Sequence, residues 1–123
     1  MFCDADDMFF SMTGLNLMMA EMNKGFNSLT TNFWEEIVRD GKRLFTEHKN
    51  DKTFVHGKFY RRQYLIDYNI RFCDKLTVHE DSYFNMLATT LALDKTTLKT
   101  TDIPIYLWKW RDDSVCRHDP LYL

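Results

Sequence analysis

No run of apolar residues in this chain approaches the roughly 20 needed to cross a bilayer, which argues against a membrane-spanning helix. Neither sign of charge dominates: Lys and Arg number 16 against 18 Asp and Glu, a formal net charge of −2. No global field therefore favours nucleic acid or an anionic membrane, while a local basic patch is centred on Lys58, Arg61 and Arg62. The three cysteines, Cys3, Cys73 and Cys116, are scattered and lack the close C-x-x-C spacing of a zinc or redox site. They are expected to be reduced thiols of a cytoplasmic protein, with Cys3 and Cys73 packed inside. The first residues carry acids where a secretory signal needs bases, so export is not expected. Low-complexity tracts and internal repeats are lacking as well.

What remains is a folded profile. Of 123 residues, 45% are apolar and 28% charged, enough to bury one core of ordinary size and not two. Residues 1–123 are therefore read as a single domain.

Helical spacing of Phe9, Met12, Leu15, Met19 and Met22 predicts a helix over residues 8–23 that ends near Gly25. Its stripe is expected to be core, with an adaptable Met-rich binding groove as the alternative. Residues 28–38 turn β-rich, with Leu29, Thr31 and Phe33 on one face, and Asp40-Gly41 signals a hairpin returning through residues 43–48. Thr53-Phe54-Val55 is expected to open another strand leading to Gly57. A short helix fits residues 62–68. Residues 79–93 carry Tyr83, Phe84, Leu87 and Leu91 at helical spacing, with Glu80 and Asp81 in the first turn, where carboxylates favour the positive end of the dipole. A last strand spans residues 103–110, its entry fixed by Pro104. The fold class is mixed α/β.

Two constellations carry chemistry. Asp4-Ala5-Asp6 at the end of a short apolar stub presents two hard oxygen ligands close together, suited to Mg²⁺ or Mn²⁺ that takes its other ligands from water and a diphosphate. The same acids also suit an ordinary acidic turn, with Asp7 or Ser11 capping the next helix. The second constellation is Gly57-Lys58-Phe59-Tyr60-Arg61-Arg62, followed by His79-Glu80-Asp81. A glycine at a strand end admits a ligand to the backbone, cations hold phosphate oxygens, and Asp81 stands as a base for an attacking hydroxyl. Read plainly, these are helix-start carboxylates paired with a solvated basic strand end, and spacing alone leaves both readings open.

The order "FCDADD", "HGKFYRRQYLIDYNIRF", "HEDSYFNMLA", "IPIYLWKWRDDSVCR" resembles the second half of a family 2 glycosyltransferase of the GT-A type. The resemblance runs over nearly the whole chain. It implies a truncated GT-A nucleotide-diphospho-sugar transferase-like fold, a mixed sheet with flanking helices, and metal-dependent transfer of a sugar from a nucleoside diphosphate donor to a hydroxyl acceptor. By the same resemblance Asp4 and Asp6 would hold Mn²⁺ or Mg²⁺ and the diphosphate, Asp6 most directly. Asp81 would be the general base, with Glu80 orienting it or contacting the acceptor. Gly57 and Lys58 would line the sugar pocket, Arg111 and Ser114 would close the site with Arg111 toward the diphosphate, and Trp108 and Trp110 would stack on a sugar or pack. His118 stands where some members recruit a late metal ligand, or lies exposed in the tail.

The nucleotide-binding half that precedes the D-x-D in that family has no counterpart in these residues. The expected partners are a nucleotide sugar if the chain is an enzyme, and otherwise a protein or a second copy covering exposed sheet. The alternative function is a non-catalytic binding module or small inhibitor, of the kind phages direct against host defences, with Trp34, Tyr122, Trp108 and Trp110 as interface anchors.

Overall fold

A computed structural model describes residues 1–94 and 96–113; Ser114, Cys116, His118 and Tyr122 lie outside the described residues. The fold is mixed α+β, a five-stranded mixed sheet with three helices. In chain order the elements are β1 (Met8–Phe9), α1 (Met12–Met22), β2 (Ser28–Arg39), β3 (Lys42–His48), β4 (Lys58–Tyr60), α2 (Arg62–Asp67), α3 (Glu80–Asp94) and β5 (Leu98–Trp108). No helix among the described residues is long and apolar enough to cross a membrane.

β2 organises the sheet. The strand order is β1-β5-β2-β3, with β5 parallel to β2 and antiparallel to β1. On its other side β2 pairs antiparallel with β3 through Phe33–Arg39 and with β4 through Ser28–Thr30. β3 and β4 thus follow one another along the same flank, and residues 49–57 between them leave the sheet as an excursion.

The hairpin forms as its turn residues predict: Asp40 and Gly41 have φ of +52° and +72°, the pair of positive values that a two-residue type I′ turn requires. Other expectations are corrected. The first helix starts at Met12, not at residue 8, because Met8 and Phe9 pair as a strand with Leu107 and Tyr106. Ser11 is its N-cap, its hydroxyl accepting from the Gly14 amide at 2.9 Å. The buried face is consequently Gly14, Met18 and Met22, while Met12 and Met19 face outward at 72% and 50% exposure. Along α3 the buried positions are Phe84, Asn85, Ala88 and Ala92, with Tyr83 and Leu87 exposed.

Thr53-Phe54-Val55 is not a strand. The Asp51 carboxylate accepts the amides of Thr53 and Phe54 at 3.1 and 2.8 Å, a local turn that competes with any ladder. Pro104 lies inside β5 instead of at its entry, opposite Asn32 where the register with β2 slips. A residue without an N–H fits that irregularity. Cys3 is exposed, not packed, and Cys73 is half-buried.

Two apolar clusters hold the layers. Met18, Met22, Leu29, Phe33, Phe59, Ile105, Tyr106 and Trp108 form one. The other joins Val55, Tyr60, Tyr64, Ile70, Phe84, Ala88 and Ala92, bringing α2 and α3 against the end of the excursion. Buried hydroxyls there are satisfied, Tyr60 by Asn85 at 2.7 Å and Tyr64 by the Ala88 carbonyl at 2.6 Å.

Candidate metal and diphosphate cleft

A cleft of about 200 Å³ opens where the N-terminal segment, the excursion, the start of α3 and the end of β5 meet. Asp4, Asp6, Asp7, Glu80, Asp81 and Asp113 contribute six carboxylates to its wall, with His56, Phe54, Trp108 and Arg111. The density of negative charge around one guanidinium makes this a place for cations.

The acids are set by a tight turn. The Asp7 amide donates to the Asp4 carbonyl at 3.1 Å, so Asp4 and Asp7 stand at the two ends of a turn with Ala5 and Asp6 at its corner. Tyr106 then fixes the turn to the central sheet: its hydroxyl donates to Asp7 Oδ2 at 2.6 Å and accepts the Asp4 amide at 3.3 Å. The Lys109 amide donates to the other Asp7 oxygen at 2.9 Å. On the far side Phe2 lies against Phe72, Phe84 and Tyr60, with ring centroids 5.2, 5.5 and 6.0 Å away.

His56 approaches from the excursion. The Lys58 amide donates to the Val55 carbonyl at 3.2 Å, closing a turn with Gly57 at its third position and φ of +67°, a conformation that belongs to glycine. Thr31 pins that turn to β2, its hydroxyl and amide both donating to the Gly57 carbonyl at 2.7 and 2.9 Å. The imidazole is 5% exposed and lies between aromatic planes, 4.9 Å from Tyr106 and 5.4 Å from Phe54, tilted by 20° and 19°.

Asp4, Asp7 and His56 each offer a ligand atom, and these atoms lie within 4.8 Å of one another. Two carboxylate oxygens and one imidazole nitrogen fit a divalent cation that keeps open positions for substrate oxygens. Burial, then the neighbouring Asp6 and Glu80 charges, raises Asp4 above its ordinary 3.8. Burial likewise raises Asp7 against the pull of its Tyr106 and Lys109 donors. A cation bound there would compete with protons for these raised carboxylates.

Of the residues singled out from the sequence, Asp4, Asp6, Glu80, Asp81, Trp108 and Arg111 line this one cleft. Asp6 is turned to Arg111, whose Nε lies 3.1 Å from Asp6 Oδ2 while Nε and Nη2 donate to Asp113 at 3.0 and 2.9 Å. Asp81 is raised by burial and then by Glu80, against the pull of the nearby Asp81, Ser82 and Val55 amides. Gly57 and Lys58 lie beneath the cleft rather than in its wall. Lys58 is wholly buried, its ammonium donating to Asp51 at 3.0 Å and to the His56 carbonyl at 3.2 Å. Trp108 is buried, and Trp110 is half-buried with its indole N–H donating to Asp112 at 2.8 Å.

Asp7 and His56 are the functional candidates that spacing did not isolate. Asp7 was visible as a third acid beyond the D-x-D and as a candidate helix cap, and His56 only as the residue before Gly57. No protein-family model and no curated protein matches this chain.

Proposed function

We propose that this chain is a glycosyltransferase-like protein that binds a nucleoside diphosphate sugar with a divalent cation and passes the sugar to a hydroxyl acceptor. The observation that carries the reading is convergence: acids from residues 4–7, the pair Glu80 and Asp81, and Arg111 come from three distant stretches and line one cleft. Metal-diphosphate chemistry needs that combination of donors, base and counter-cation.

Asp4, Asp7 and His56 would hold the cation, Mn²⁺ being favoured over Mg²⁺ by the imidazole. When bound, the cation supplies charge that stabilises the leaving diphosphate. Arg111, already shared between Asp6 and Asp113, would exchange a carboxylate for a phosphate oxygen. Asp81, raised by burial, is a stronger base than a solvated aspartate and takes the acceptor proton as that oxygen bonds to the anomeric carbon. The bond from that carbon to the diphosphate breaks in the same step and its electron pair leaves with the diphosphate. Glu80 orients Asp81, and Trp108 walls the sugar side. Gly57 and Lys58 act from beneath, holding His56 in place.

A second reading, a non-catalytic binding module or inhibitor, is favoured by one feature, an apolar trough of about 360 Å³ lined by Phe10, Trp34, Phe45 and Leu107. Calorimetric titration with UDP and Mn²⁺ separates the two. The enzyme reading expects binding that is lost in Asp7→Ala and weakened in Asp6→Ala, with donor turnover in a sugar-nucleotide screen. A wild-type protein that releases no heat with UDP and Mn²⁺ would sink it.

A further inference from the structure

We infer that β3 is a self-complementary edge through which two copies of this chain pair antiparallel about Phe45. Among the described residues β3 has one neighbour, β2, and stands at the end of the sheet. Leu44 and Phe45 are 49% and 52% exposed, unusual for a seven-residue strand whose outer edge faces water.

The hairpin geometry decides which backbone groups are free. The two-residue turn makes Arg39 and Lys42 the closing hydrogen-bonded pair. Hydrogen-bonded and non-hydrogen-bonded pairs then alternate, so Leu44, Thr46 and His48 spend their groups on β2, while Arg43, Phe45 and Glu47 direct N–H and C=O outward.

A two-fold axis at Phe45 sets Phe45 against its own copy and Arg43 against Glu47 of the second copy, twice. Those are the residues whose backbone groups point outward, so these three pairs are hydrogen-bonded and the Leu44–Thr46 pairs between them are not. Side-chain charge chooses the same register: a shift by two in one direction opposes Arg43 to Lys49, and in the other to Phe45. Charged residues usually protect an edge strand by repulsion; here Arg43, which also pairs with Glu36 of β2 at 3.0 Å, and Glu47, which also accepts from Asn32 at 3.0 Å, would face each other's image across the axis. Phe45 also lines the trough with Trp34, Phe10 and Leu107, so two troughs meet at the axis and the apolar floor becomes continuous. Such an isologous pairing closes at two copies.

Sedimentation velocity of the full chain over rising concentration tests this. The wild type is expected to dimerise. Arg43→Glu alone and Glu47→Arg alone, each opposing like charges across the axis, should weaken dimerisation by roughly tenfold or more. An equimolar mixture of the two variants restores opposite charges on both sides and should form a heterodimer, which a variant that had merely unfolded would not do. A monomeric wild type at every concentration, single variants that dimerise as the wild type does, or a mixture that fails to recover pairing would each overturn the inference.

Discussion

The hydroxyl of Tyr106 donates to the carboxylate of Asp7 at 2.6 Å across 99 positions of sequence. Tyr106 is wholly buried in strand β5, so this contact couples the acidic turn to the interior of the sheet. Burial and the Asp7 charge both push the Tyr106 hydroxyl upward, which keeps it a donor. Tyr106→Phe removes that donor and leaves the Lys109 amide as the remaining named hydrogen-bond donor to Asp7. The expected loss is about 1–3 kcal/mol of stability for an under-satisfied charged acceptor. Mn²⁺ affinity should fall roughly 10–100-fold, as when a residue orienting a metal ligand is removed. Thermal unfolding and Mn²⁺ titration read the two effects; an unchanged metal affinity would mean that Asp7 is not a ligand.

The raised acids fix the sign of a pH effect. Asp4, Asp7 and Asp81 bind protons more tightly folded than unfolded, above the ordinary value of 3.8. Their contribution to stability is therefore present below that value and is lost as pH rises through their folded pKa values. A divalent cation replaces those protons, so Mn²⁺ should raise the melting temperature at pH 7 and have little effect at pH 4. At a hundred times its Kd the cation would add about 2.7 kcal/mol. Comparison with Asp7→Asn isolates the site: that variant should show a shallower decline of stability with pH and little Mn²⁺ response.

Much of the framework was legible because it is local. The hairpin followed from Asp40-Gly41, and α2 and α3 from short-range periodicity and first-turn acids. What was not legible depends on distant contacts. Phe9 reads as helix until Tyr106 pairs with it, and helix entry then moves to Ser11. Thr53-Phe54-Val55 has strand composition, yet one Asp51 carboxylate captures two of its amides. In the cleft the motifs marked Asp4, Glu80 and Asp81, but spacing suggested Asp6 as the companion of Asp4. A four-residue turn puts Asp7 there instead, and His56 arrives on a glycine turn whose placement depends on its tertiary contact with Thr31.

That turn can be tested with a pair of glycines. Gly57 and Gly41 have similar φ, +67° and +72°, so alanine at either carries the left-handed penalty of about 1–2 kcal/mol. Their surroundings differ: a Cβ at Gly57 would sit 2.7 Å from the Thr31 hydroxyl, whereas at Gly41 nothing lies within 4 Å. Gly57→Ala should therefore destabilise more than Gly41→Ala in denaturant melts. It should also weaken Mn²⁺ binding, because the adjoining His56 shifts with the turn, while Gly41→Ala leaves the metal untouched. Equal stability losses would show that the Thr31 contact yields freely.

Asp81 separates catalysis from binding. Its carboxylate sits in the first turn of α3, where burial and then the Glu80 charge raise it against the pull of nearby backbone amides. Asparagine keeps the size and one acceptor oxygen but cannot take a proton from an acceptor hydroxyl. Asp81→Asn should then lower sugar transfer by roughly 10²–10⁴-fold, with UDP and Mn²⁺ binding within a few-fold of the wild type. Stability at pH 7 should hold or rise, since a buried charge beside a like charge has been removed. Glu80→Gln, which leaves the base in place, should cost less activity. If Asp81→Asn instead weakens nucleotide binding while turnover at saturating donor stays near the wild type, the carboxylate belongs to the diphosphate site and the base must be sought at Glu80.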